Sequence, residues 1–349
     1  MFQQLPFDIL INISKFLSNQ DILNLSRCCK YYHELVYRVR FSEKVDYQDI
    51  IELPYFDSFI NITCKDNVTL FPKFLKDLHW KCDVALPEDL PNTLIHLTFS
   101  AYNKPLLKLP CTLIKLSFGR IYNQPLPILP DKLTHLYFGY RHNMLNPFKY
   151  MDCASDYNQP LPNIPESLLH LVFGSDYNQP LPSELPDSIT HLKFGLEYNQ
   201  PLPNLPNSLI FLSFGQGSYN HLLPVGIFDR NGYNHSGEPQ LPDSLTILEF
   251  GYAYNKSLPN LPRALMKLKF GYYYNQLLPD LPNTLTHLTF GRHYNQPLPD
   301  LPESLTHLIF NIGYKQPLIS IPKSLKYLKI KKGVPIPKNL PLGMRLSRC

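Results

Sequence analysis

The sequence predicts a mainly β protein, a long parallel β-solenoid of short repeats preceded by three small helices. Three observations carry this reading. The string LTHLTFGRHYNQPLPDLPES at 285–304 recurs nearly unchanged at 265–284, 305–324, 168–188 and 189–208, and a fixed period near 20 residues marks a solenoid. The 35 prolines fall at set places inside this apolar period, which separates them from the prolines of a disordered chain. Residues 1–40 differ in kind, with no glycine, one proline and a helical spacing of apolar side chains.

In the helical segment, Pro6 suits a first helical turn. Ile9, Leu10, Ile13, Phe16 and Leu17 then follow at i, i+1, i+4, i+7 and i+8, one face of an amphipathic helix. Ser18-Asn19-Gln20-Asp21 has the form of a capping box opening a second helix, with Ile22 and Leu25 inward. A third stretch runs from Lys30 to Arg40. So small a unit is short of core, and the pattern leaves two roles open, a cap on the solenoid or a partner-binding module. Residues 41–57 show no period and read as a connector.

In the array, numbering the unit from Leu285, positions 1, 4 and 6 (Leu285, Leu288, Phe290) form a short strand, followed by Gly291. Tyr294 and Asn295 take positions 10 and 11, and prolines take 13, 15 and 18. Proline has no backbone donor, so the second half of each unit runs as polyproline-like turns along the back. Only one thin parallel strand per unit is left, and units must stack to bury their apolar faces. Two columns are expected along the stack, Phe99 through Phe310 at position 6 and Tyr102-Asn103 through Tyr294-Asn295. The asparagines should satisfy backbone groups of adjacent turns. Phe59-Ile62-Cys64 and Leu75-Leu78-Trp80 are degenerate first units. Phe148-Met151-Cys153 keeps the phase through one apparent insertion, and Tyr233-Asn234 restores it after a poorer stretch at 220–233. About fourteen or fifteen turns result, spanning 58–330, and residues 331–349 read as a C-terminal cap.

LPFDILINISKFLSNQDILNLSRCCKYYHELV resembles an F-box, and the units resemble FNIP repeats, found in giant viruses of amoebae and in social amoebae. The resemblance implies a leucine-rich-repeat-like solenoid behind a three-helix F-box at 1–40. It implies that Leu5, Pro6, Ile9, Leu10, Ile13, Phe16, Leu17, Ile22 and Leu25 face the Skp-type adaptor of a cullin-RING ubiquitin ligase or pack the helices. The tryptophan that often closes an F-box is missing, with Tyr37 or Phe41 in its place. The implied function is a non-catalytic substrate receptor in the cytoplasm, the host cytoplasm if viral. The alternatives are a binding solenoid whose helices only cap it, or a decoy that sequesters the host adaptor.

Other classes find little support. Net charge is +5, too little to argue for nucleic acid. The start MFQQLPFDIL lacks a basic n-region, and no apolar stretch reaches membrane-span length, so a soluble protein is expected. Seven cysteines show no paired metal-ligand spacing and read as buried free thiols in a reducing compartment. No phosphate loop or nucleophile elbow appears. The LPxLP units also resemble those of bacterial ubiquitin ligases, but no catalytic-cysteine domain follows. No cofactor or metal is expected. Position 3 is repeatedly histidine (His96, His135, His170, His191, His287, His307), and His170/His191 or His287/His307 could pair on a metal, although no third ligand is fixed nearby. A wet, variable face is the plainer reading.

Repeats that bind a partner vary at outward positions, and units 245–330 vary most. Tyr252, Lys267, Lys269, Tyr272, Arg292 and Tyr327 gather there, residue types that carry interface hot spots. They are the expected contacts to a protein target with an acidic or mixed surface.

Overall fold

The computed structural model describes residues 5–68, 70–139, 154–224 and 241–348. The helical segment comprises α1 (Phe7–Ser14), α2 (Asn19–Arg27), α3 (Lys30–His33) and α4 (Leu35–Arg38). The expected third helix is thus broken into two short ones around Glu34. The capping box is present: the Ser18 side chain accepts from the Asp21 N–H, and the Asp21 carboxylate accepts from the Ser18 N–H.

Fifteen strands follow, all parallel and in chain order within one sheet. The first five are β1 (Val45–Asp46), β2 (Asn61–Cys64), β3 (Asp77–Trp80), β4 (His96–Phe99) and β5 (Lys115–Phe118). The middle four are β6 (His135–Phe138), β7 (His170–Val172), β8 (His191–Lys193) and β9 (Phe211–Ser213). The last six are β10 (Ile247–Glu249), β11 (Lys267–Lys269), β12 (His287–Thr289), β13 (His307–Ile309), β14 (Tyr327–Ile330) and β15 (Arg345–Arg348). Among the described residues the array has no α-helix on its back.

The strand total agrees with the expected turns for a different reason. Phe148-Met151-Cys153 and Tyr233-Asn234 lie outside the described residues, and the sheet passes directly from β6 to β7 and from β9 to β10. Two strands, β1 and β15, instead extend the sheet beyond 58–330. The backbone of Phe41 joins the helices to the stack, donating to the Ser58 carbonyl and accepting from the Ile60 N–H. Its ring stacks on Phe59 at 4.7 Å. Tyr37 remains nearly half exposed, so the missing tryptophan's place in the core falls to Phe41.

Inside the stack, the leucines at positions 1 and 4 and the Phe at position 6 are buried throughout. Successive Phe rings from Phe99 to Phe310 lie 5.1–5.9 Å apart. The Tyr rings behind them are likewise buried, 6.0–6.2 Å apart. Spacing thus widens from the sheet, at about 4.8 Å, toward the Tyr column, which places the sheet on the inside of the curve.

The asparagines form the expected ladder. Each side-chain oxygen accepts from the N–H of the equivalent residue one turn on, at 2.8–3.0 Å from Asn103 to Asn295. It runs unbroken from Asn123 to Asn158 and from Asn220 to Asn255. At position 7 a Cβ on Gly291 would fall well inside 3.0 Å of the Gly271 carbonyl oxygen, so the turns approach too closely there for a side chain.

Candidate functional site

The helical segment sorts its predicted contacts into two groups. Leu10 and Ile22 are buried, and Leu17 and Leu25 pack partly against the core. Leu5, Pro6, Ile9 and Ile13 are exposed, and Phe16 is 90% exposed. The amphipathic stripe therefore divides, with one edge building the helical unit and the other leaving an apolar surface. Phe7 stacks against Tyr31 at 4.6 Å, and the Arg38 guanidinium lies 4.4 Å from the Phe7 ring. Asn19 and Glu43 exchange hydrogen bonds between α2 and the chain entering the solenoid.

The concave face divides along its length. Over its middle, the outward side chains Tyr137, Val172, Lys193, Phe211 and Ser213 are buried. The imidazoles of His135, His170 and His191 follow one another at 4.4 Å. Burial, then the neighbouring His135 and His191, lowers the His170 pKa to about 4. From β10 onward the same positions are only half buried or exposed.

Four of the six predicted target contacts come together there. Tyr252, Lys269, Tyr272 and Arg292 line a groove of about 290 Å³ together with Gly251, Gly271 and Gly291. Tyr252 stacks on Tyr272 at 4.7 Å, and the Arg292 guanidinium sits 5.8 Å from the Tyr272 ring. A hydrogen bond to Tyr273 raises the Tyr252 phenol above its ordinary pKa. Lys267 shares the outward side of β11 with Lys269, while Tyr327 stands three strands away in the same row. The sequence places Tyr273 and His293 on the same late loops, but neither is among the six predicted contacts, and Asn311 was missed. The two rings continue the cluster at 4.9–5.1 Å, and Asn311 lines the groove. Tyr273 and His293 fill position 9 of adjacent units, whereas Asn311 stands where other units carry glycine and gave no signal.

The histidine pairs do not form a chelate. His287 and His307 stack face to face at 4.3 Å and 6°, and each Nδ1 lies 2.9 Å from the hydroxyl of the preceding threonine. Among the described residues no group of three His, Cys, Asp or Glu could hold a metal. The thiol reading holds only for Cys64, which is buried and has its pKa pushed up to about 12. Cys28, Cys29 and Cys111 are exposed and Cys82 half buried; Cys153 and Cys349 lie outside the described residues.

One constellation went unread in the sequence. The Lys44 ammonium lies 2.7 Å from His79 Nδ1, and His79 Nε2 lies 2.6 Å from Ser100 Oγ. Lysine at Nδ1 is a donor, which leaves the proton on Nε2 pointing at the serine. A general base needs the opposite tautomer, with a carboxylate at Nδ1. The chain of contacts braces β1, β3 and β4 and does not activate Ser100. No helix among the described residues is long and apolar enough to cross a membrane.

Comparison with known proteins agrees with this architecture. The F-box domain family matches residues 2–44, and the FNIP repeat family matches 157–183, 177–217, 233–273, 254–293, 274–299 and 294–333. No curated protein matches the chain. Among solved structures, the chain is similar to CroV588, described as a novel circular LRR protein, at 28% identity and a TM-score of 0.55, over 88% of this chain and 51% of that one. It thus spans about half the length of CroV588. It is also similar in fold to YopM from Yersinia enterocolitica WA-314, at 23% identity and a TM-score of 0.55, over 89% and 71% of the two chains. F-boxes and leucine-rich-repeat-like solenoids are typically non-catalytic binding modules. With a helical segment that matches the F-box and a stack whose units match the repeat, the chain is an F-box and FNIP repeat-containing protein.

Proposed function

We propose that this protein is a non-catalytic, cytoplasmic substrate receptor of an F-box-type cullin-RING ubiquitin ligase. The helical segment docks the Skp-type adaptor, and the late concave face holds a protein target. The observation that carries the reading is the exposed apolar edge of the F-box. Leu5, Ile9, Ile13 and Phe16 are 39–90% exposed on a unit otherwise short of core, and contiguous exposed apolar surface marks an interaction site. On the solenoid, Tyr252, Lys267, Lys269, Tyr272, Arg292 and Tyr327 contact the target.

A cap-only role has one observation in its favour, since Leu35, Val36, Val39 and Phe41 are buried where the helices meet the first turns. The two roles use different faces and separate in one experiment. Ile9→Asp with Phe16→Asp should leave helicity unchanged and weaken adaptor capture by roughly 2 kcal/mol or more. Equal capture by this variant and the wild type would show that the helices only cap the stack. Receptor and decoy then differ in whether a captured protein loses abundance in a proteasome-dependent way.

A further inference from the structure

The register of the last five strands sets their outward side chains in two rows across the sheet. Lys267, His287, His307, Tyr327 and Arg345 are partners in one row, and Lys269, Thr289, Ile309, Lys329 and Ser347 in the other. Tyr327 follows the stacked imidazoles at 6.1 Å, and the Arg345 guanidinium lies 6.0 Å from the Tyr327 ring. Neither row contains a carboxylate. Glu303 is the last acidic residue of the chain, and nine lysines and arginines follow it. Among the described residues all five ion pairs lie at or before residue 156. Among the described residues none of these cations is in ion-pair contact with a carboxylate; the nearest acid in register, Glu249 beside Lys269 on β10, accepts from the Ser213 hydroxyl at 3.2 Å.

These cations are grouped, not spread. Lys267 and Lys269 stand on β11, and Lys329 and Arg345 on β14 and β15. Between them lie the two imidazoles, Thr289 and Ile309. Burial, then His307 and Lys267, lowers the His287 pKa below its ordinary value, so its imidazole is neutral at pH 7. Three to four strand steps of about 4.8 Å put the cationic ends roughly 14–19 Å apart, the reach of about four to six extended residues.

Resting on the reading of this face as the target surface, we propose that β11–β15 bind an extended acidic segment of the target. Carboxylates about four to six residues apart meet the two cationic ends. An aromatic or aliphatic residue between them lies on the His287–His307 pair. A single-stranded nucleic acid carries a phosphate at every nucleotide and calls for a continuous cationic track under stacked bases. Two cationic ends around a centre with no lysine or arginine fit a peptide better.

Fluorescence anisotropy on the full-length chain tests this with three labelled probes: the peptide GDDSFSDDG, its neutral analogue GNNSFSNNG, and a thymidine oligonucleotide. The acidic peptide should bind with Kd on the order of micromolar to tens of micromolar, and the neutral one at least about tenfold more weakly. Lys329→Glu with Arg345→Glu, the first half buried and the second exposed on the outward side of the sheet, should weaken the acidic peptide about tenfold or more while sparing the fold. The proposal is overturned by oligonucleotide binding tighter than the acidic peptide, by equal binding of the neutral analogue, or by charge reversal without effect. Absence of acidic-peptide binding at about 1 mM also overturns it. Adaptor capture is measured apart from these probes, so its loss would remove the ligase reading and leave the peptide result standing.

Discussion

The asparagine ladder makes a sharp energetic prediction at Asn158. Its side-chain oxygen accepts from the Asn178 N–H at 2.9 Å and from Gln179 Nε2 at 3.2 Å. Asn158→Ala removes this shared acceptor and leaves a backbone donor unpaired between two packed turns. An orphaned backbone donor costs about 1–3 kcal/mol, and the half-buried glutamine amide adds about 0.5–1, for a total of roughly 2–4 kcal/mol. Asn158→Asp keeps an acceptor in place. The chain already uses that substitution at the start of the ladder, where Asp83 accepts from the Asn103 N–H at 2.8 Å. That bond is the main reason the Asp83 carboxyl sits below its ordinary pKa. The aspartate variant should therefore lose about 1 kcal/mol or less. Because a solenoid is held by nearest-neighbour interfaces, the assay is hydrogen exchange of the peptide covering residues 170–185, with urea unfolding followed by circular dichroism. Alanine should accelerate exchange locally, and aspartate should restore protection. An alanine loss below about 0.5 kcal/mol, or an aspartate variant as damaged as alanine, would refute the ladder as a stabilising device.

Two further predictions concern the stack. Gly291→Ala forces a methyl group onto the Gly271 carbonyl, so the turns must separate, at a cost of about 1–3 kcal/mol; an unchanged melting temperature would contradict the close approach. His170 is held neutral by burial and by His135, His191 and Lys115, with its pKa lowered from 6.5 to about 4. The unfolded chain takes up this proton first, so the stability is complete above pH 6.5 and is lost as pH falls through 6.5 toward 4. Discounted for partial exposure, the loss is roughly 1–2 kcal/mol by pH 4. His170→Asn should flatten that part of the pH–stability curve.

The fold was legible because each unit repeats a few physical constraints. Leucine at positions 1 and 4 and phenylalanine at 6 can face only inward on a strand, and prolines at 13, 15 and 18 forbid a second strand. Asparagine at 11 announced a ladder. A second ladder passed unread, in which the serine or threonine at position 20, just before the next strand, donates to the position-1 carbonyl of its own unit, as Ser304 does to Leu285 at 2.7 Å. Serine and threonine looked like ordinary turn residues there, and only stacking shows the carbonyl they serve. The ends were hidden for a related reason. Val45–Asp46 and Arg345–Arg348 join the sheet without the leucine-phenylalanine spacing, because an outermost strand needs one neighbour and not two.

The site was legible in part, and the limit lies in the geometry of a sheet. Composition alone could show that tyrosine, lysine and arginine gather late in the array, but not which of them share a surface. That depends on the crossing of two directions. Along the chain, Lys267 and Lys269 are two residues apart; across the sheet, Lys267 and Tyr327 are partners of partners through His287 and His307. Once the register is known, the histidines change meaning. Read along the sequence they suggest metal ligands; read across the strands they form a stacked aromatic step between two cationic ends. The same residues on β6–β8 have a different setting, with Tyr137, Val172 and Lys193 buried beside them. A repeat that looks uniform in sequence thus presents two surfaces, closed over its middle and open toward its C-terminal end. The open half is the one where the chain carries cations and, after Glu303, no acid.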